Sequence, residues 1–228
     1  MVLRRLVGSA LVCVICPVAA VAQNVLELIP FGGSYVPLTA FGEAHTAALG
    51  SDGAPLRSSE YRQTIGVTLG MRLRWSLSDN IQLQGSGAYA WSGWTENKTG
   101  TGQDIGYSLP GHVTQATGQV ILKPNRSNAW GSLGLTYLTR SGDAWDVERW
   151  PVEGTVYNNS NVGLVMGLGV TAFASGSLNF DISAESHLYQ VDKVEAGFVV
   201  PGYEPFDSKG LQADLVVTVG IPISLIAR

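Results

Sequence analysis

The working part of this chain has no cysteine. Both cysteines, Cys13 and Cys16, lie in an N-terminal stretch that reads as a secretory leader. Arg4 and Arg5 form its basic end, Leu6–Ala20 its apolar core, and Ala20-Val21-Ala22 a small-residue cleavage site that predicts a mature start at Gln23. Bulky Ile15 before Cys16 argues against lipid attachment there. The predicted mature chain therefore lacks a disulfide framework, a thiol nucleophile and a cysteine metal site. Charge is also scarce, at 14% of residues against about 25% in typical soluble domains. Positive charge is scarcer still: a net charge of −4 becomes −6 once Arg4 and Arg5 leave. That balance argues against a nucleic-acid partner. Finally, no mature segment reaches the roughly 18 consecutive apolar residues of a membrane-spanning helix.

What is present is alternation. In Thr64–Leu77, Ile65, Val67, Leu69, Met71, Leu73, Trp75 and Leu77 alternate with Thr64, Gly66, Thr68, Gly70, Arg72, Arg74 and Ser76. Strict period two predicts a β-strand with two unlike faces. Its length exceeds the usual ~5–6 residues and meets the ~9–11 residues of a tilted bilayer-crossing strand. The same pattern predicts strands over Val25–Leu38, Ile81–Trp94, His112–Leu122, Ala129–Arg140, Val162–Ala174, Leu178–Tyr189 and Leu211–Leu225. In the first of these, Pro30, Gly32 and Gly33 predict a bulge or bend. Closing the Ser78-Asp79-Asn80 turn pairs Leu77 with Ile81, Arg74 with Gln84 and Arg72 with Ser86.

Between the strands, Thr39–Glu60, Thr95–Gly111, Ser141–Ser160 and Asp192–Lys209 are predicted long loops, the third carrying Trp145 and Trp150. They alternate with short turns at Ser78–Asn80, Pro124–Asn128 and Ser175–Ser177. Even strand number with long–short alternation is the pattern of an all-β, eight-stranded antiparallel up-and-down transmembrane barrel. Closure is required because lipid cannot satisfy an open sheet edge.

Strand openings such as Leu26-Glu-Leu-Ile-Pro-Phe-Gly-Gly33 and the segment Gly70-Met-Arg-Leu-Arg-Trp75 resemble the small eight-stranded outer-membrane barrels, of the OmpA/OmpX type and the OprF N-terminal barrel type. The sequence departs from that family in ending Leu225-Ile226-Ala227-Arg228, without a terminal aromatic. The resemblance implies an outer-membrane location and a structural or surface-interaction role. A narrow porin-like channel is the first alternative. A soluble lipocalin-like ligand-binding barrel is the second, disfavoured by the uncharged face of Gly163, Gly167, Gly169 and Thr171.

Parity sends Glu27, Arg72, Arg74, Lys123, Arg140, Asp181, Glu185 and Asp214 inward, four of each sign. In a bore just wide enough to be filled by side chains, a balanced set reads as a salt-bridge plug. Ile65, Val67, Leu69, Met71, Leu73, Trp75, Leu164, Leu168, Leu215, Val217 and Val219 are expected to face lipid. Trp75, Phe180, Tyr89, Trp91 and Tyr137 read as interfacial girdles. Ser183, Glu185 and His187 share one face, but side chains two apart on a strand stand parallel rather than converging, so a nucleophilic triad is not expected. His45 and His112 have no metal-ligand spacing to each other. No enzyme activity, catalytic residue, cofactor or metal is expected.

The expected partners are outer-membrane lipid and lipopolysaccharide, with an extracellular ligand for the four long loops, which together carry −8 against +2 on the rest of the mature chain. A monomer is expected.

Overall fold

The computed structural model describes residues 25–45, 53, 57–100, 108–143, 160–173, 179–191, 207–208 and 210–226. The leader, Trp145, Trp150 and the expected turn at Ser175–Ser177 lie outside them. In chain order the strands are β1 (Leu26–Pro37), β2 (Ala40–His45), β3 (Arg57–Gln63), β4 (Gly66–Ser76), β5 (Ile81–Trp91), β6 (Trp94–Gly100) and β7 (Ser108–Leu109). They continue as β8 (His112–Leu122), β9 (Ala129–Ser141), β10 (Ser160–Phe173), β11 (Asn179–Gln190), β12 (Asp207–Ser208), β13 (Leu211–Gly220) and β14 (Ile223–Ile226).

Eight of these close a barrel in the order β1-β4-β5-β8-β9-β10-β11-β13, and β13 pairs back onto β1. Every neighbouring pair is antiparallel. The register is the one that matches apolar to apolar. Arg74 stands opposite Gln84 and Arg72 opposite Ser86, and Leu77 N donates to Ile81 O at 3.0 Å. Alternation then decides every face: Leu69 is 51% exposed on the outer wall, whereas Thr68 is fully buried in the bore.

The bulge expected in the first strand does not fall at Pro30, Gly32 or Gly33; a register shift lies instead at Leu26/Glu27, against β14. β1 pairs without a break to β4 from Leu26 to Tyr35. Pro30 is tolerated because its carbonyl faces the closing strand, where it accepts from Ile221 N at 3.1 Å. Its missing N–H removes a bond only on that side. The expected last strand, Leu211–Leu225, is instead two pieces, with β14 extending the pairing to β1 beyond the Ile221-Pro222 interruption.

Three of the four expected long loops are partly strand, the fourth loop, Asp192–Lys209, contributing β12. Thr39–Glu60 contains β2 and the start of β3, and Thr95–Gly111 contains most of β6 and all of β7. These form a second sheet, ordered β12-β2-β3-β6-β7, at the long-loop end. The physical reason is that period-two alternation marks a strand only where one face meets an apolar medium. The segment Arg-Ser-Ser-Glu-Tyr-Arg-Gln of β3 is polar almost throughout, so its extension is invisible to the pattern.

Candidate functional site: the filled bore

Inward positions at the short-turn half of the bore hold the first charge cluster. Arg72 and Arg74 project from β4, and Asp181, Ser183 and Glu185 from β11 on the far side of the bore; all five are buried. Arg74 Nη1 donates to Asp181 Oδ2 at 2.7 Å, and its Nε and Nη2 donate to Gln84 Oε1 at 3.1 and 2.9 Å. Arg72 Nη2 donates to Glu185 Oε1 at 3.2 Å, Ser183 Oγ at 2.9 Å and Thr218 Oγ1 at 2.7 Å. Gln119 Nε2 from β8 donates to Glu185 Oε2 at 3.2 Å. Aromatic rings complete the packing. The Arg72 guanidinium lies 4.1 Å from the Phe31 ring centre, and that of Arg74 lies 5.1 Å from Trp130. Trp130 in turn packs against Gly169 of β10. A Cβ at Gly169 would fall 2.2 Å from its ring, so only glycine fits there.

A second cluster occupies the long-loop half. Arg140 donates through Nη1 to Asn161 Oδ1 at 2.8 Å and through Nη2 to the Tyr189 hydroxyl. Tyr189 and Tyr35 both donate to Asp214 Oδ2, at 2.8 and 2.5 Å. The charges here are joined through a phenol. Around them pack Tyr35, Phe41, Tyr61, Trp94, Val113, Leu138, Val191 and Val216, a buried apolar cluster that reaches into the second sheet. Tyr61 and Trp94 meet at 5.5 Å between ring centres, and the Arg140 guanidinium lies 5.5 Å from Phe41.

Six of the eight inward charges thus fall into two clusters. The other two do not join them. Glu27 stands opposite Arg74 in register and is half-buried, but the Arg74 guanidinium is taken by Asp181 and Gln84. Lys123 lies just past the end of β8, half-buried in the turn, where its backbone exchanges bonds with Asn80. Neither makes an ion pair among the described residues. Charge counting overlooked the neutral partners Tyr35, Tyr189, Gln84, Gln119, Asn161, Ser183 and Thr218. All seven occupy inward positions, but Gln84 and Asn161 stand on strands that carry no charge.

Ser183, Glu185 and His187 are held by different partners. Ser183 and Glu185 bind Arg72, whereas His187 Nδ1 meets Thr136 Oγ1 at 3.0 Å. His187 Nε2, Gln115 Nε2 and Gln119 Oε1 remain buried without a hydrogen-bond partner among the described residues, so the middle of the bore is polar. His112 stacks on Tyr89 at 5.1 Å on the outer wall, beside Trp91. Above the barrel, Arg62 Nη2 binds Glu60 Oε1 at 2.7 Å in a half-exposed pair. That bond raises the pKa of the Arg62 guanidinium.

On the outer wall, Ile65, Val67, Leu69, Met71, Leu73, Trp75, Leu164, Leu168, Val217 and Val219 are exposed and Leu215 is half-exposed. Trp91, Tyr137 and Tyr89 are exposed toward the long-loop end, and Trp75 toward the short-turn end.

A closed antiparallel barrel of eight strands, with an apolar outer wall and a charged, filled bore, is the fold of outer-membrane β-barrels. No family model matches the chain, and no curated protein matches it either. Among solved structures, outer membrane protein AlkL, determined by solid-state NMR in lipid bilayers, is 12% identical with a TM-score of 0.53. That match covers 92% of this chain and 95% of AlkL. The translocator domain of the autotransporter NalP from Neisseria meningitidis is also 12% identical, over 96% and 95% of the two chains, with a TM-score of 0.34. At such identities the shared property is the fold, and it rests on AlkL.

Proposed function

We propose that the chain is an integral outer-membrane barrel of the small OmpA/OmpX or OprF kind. In this reading its bore is plugged, and it serves a structural or surface-interaction role rather than axial transport. The observation that carries this reading is the pair of buried clusters stacked along the bore. Arg72, Arg74, Asp181 and Glu185 brace one half across its width, and Arg140, Tyr189 and Asp214 with an aromatic cap fill the other. An eight-stranded bore has little room left once such side chains occupy it. The long loops face outside the cell, where their acidic residues meet lipopolysaccharide-bridging divalent cations or a cationic ligand.

Two measurements test this. With Leu69→Cys as the only thiol, a lipid-dissolved maleimide reacts and a water-soluble one does not, whereas Thr68→Cys resists the lipid probe. Protection of position 69 from the lipid probe in bilayer-inserted protein would overturn the membrane reading. In planar bilayers the wild-type barrel passes no steady ionic current; a stable open conductance would replace the plug by the channel alternative.

A further inference from the structure

The outer wall is not evenly covered. Toward the short-turn half, Gly131 of β9 and Ala184 of β11 stand outward among large neighbours. The result is a groove of about 850 Å³ flanked by Leu122, Leu133, Met166 and Leu168, a volume in the range of small-ligand sites, roughly 300–1,000 Å³. Its lining is almost wholly apolar, and it is continuous with the exposed aliphatic wall.

At the groove's end sits the turn joining Leu122 to Ala129. Ser127 N donates to Pro124 O at 3.0 Å and Ala129 N to Ser127 Oγ at 3.0 Å, which fixes the turn. It carries two cations, Lys123 and Arg126, and neither has an ion-pair partner among the described residues. Arg126 has a φ of 61°, a left-handed conformation that costs a non-glycine residue about 1 kcal/mol. The other described short turn, Ser78-Asp79-Asn80, carries an acid instead. An apolar slot that ends beside these two cations is complementary to one kind of occupant, an alkyl chain ending in an anion.

We propose that this groove and turn bind one anionic glycerophospholipid from the leaflet level with the short turns. An acyl chain lies between Leu122, Leu133, Met166 and Leu168, and the phosphate lies against Lys123 and Arg126. This rests on the membrane reading above.

The test uses the full chain inserted in vesicles of phosphatidylcholine mixed with phosphatidylglycerol, then released in mild detergent for native mass spectrometry. The wild-type barrel retains one phospholipid, with phosphatidylglycerol preferred. Gly131→Leu fills the groove, and the glycine site has room, since a Cβ there meets nothing closer than 3.8 Å. Ala184→Leu fills it from a different strand, in case the first variant folds poorly. Both lose the retained lipid, whichever headgroup it carries. Lys123→Gln with Arg126→Gly removes both charges and relaxes the turn. This variant still binds lipid, but its preference for phosphatidylglycerol falls about thirtyfold, from about 1 kcal/mol per cation near an anionic surface. Retention unchanged in both groove-filling variants overturns the site, and a preference unchanged in the charge variant overturns the headgroup assignment. Flotation with the vesicles separates the two readings: a folded barrel that does not float overturns the membrane reading and this site together.

Discussion

The two halves of the bore solve one problem differently. In the short-turn half, opposite charges touch, with Arg74 on Asp181 at 2.7 Å and Arg72 on Glu185 at 3.2 Å. In the long-loop half, Arg140 reaches Asp214 through the Tyr189 hydroxyl, and Tyr35 supplies a second donor to the same carboxylate. The first half is a network of ions that fails when any member is removed. The second spreads its charge over phenols and an apolar cap, so its members are more replaceable. Burial alone therefore does not set the cost of a lost group; the cost follows from what the removed group leaves behind.

That contrast can be broken by mutation, and unfolding by urea in detergent or vesicles is the common measurement. The largest effect is expected at Asp181→Ala. It leaves Arg72 and Arg74 facing Glu185 alone and costs about 3–5 kcal/mol, the penalty for an uncompensated buried charge. Asp214→Asn should cost less, about 1.5–3 kcal/mol, because an amide oxygen still accepts from both phenols and Arg140 keeps its bonds to Asn161 and the Tyr189 hydroxyl. A cost equal to that of Asp181→Ala would erase the distinction between the halves. Tyr189→Phe keeps the ring but removes a hydroxyl bonded to both Arg140 and Asp214, for about 1.5 kcal/mol, the low end for bonds to charged groups. The smallest effect is expected outside the barrel wall. Glu60→Gln breaks the half-exposed pair with Arg62 and should shift stability by about 0–1 kcal/mol, as exposed ion pairs do.

The same division governs what the sequence could reveal. Thr64–Leu77 declares its strand, its faces and its register because a bore and an apolar wall impose opposite chemistry on successive residues. Arg57–Gln63 and Ala40–His45 declare nothing of the kind. Their strands run past the apolar band, where alternation brings no energetic reward, and so they read as loop. Within the bore, charges announce themselves by parity. The phenols of Tyr35 and Tyr189 do not, because a tyrosine at an inward position is equally consistent with packing. Lys123 shows the opposite limit. Parity holds only while the strand does, and one residue past Leu122 the turn takes over. Pro30 reads as an interruption yet sits in an unbroken ladder to β4, whereas Pro222, inside the expected strand Leu211–Leu225, falls where that strand divides in two.

The ion pairs across the bore also have a place in time. Arg74 and Asp181 stand on β4 and β11, which share no ladder and lie 107 residues apart in the chain. They can meet only when the sheet has curled and β1 has found β13, the pairing of greatest sequence separation in the barrel. Non-local pairing of this kind is slow because loop-closure entropy must be overcome first. Contacts that form after the rate-limiting step govern how fast a protein comes apart rather than how fast it assembles. The short-turn cluster is therefore a latch: losing Asp181 should accelerate unfolding of the finished barrel while leaving its rate of formation nearly unchanged.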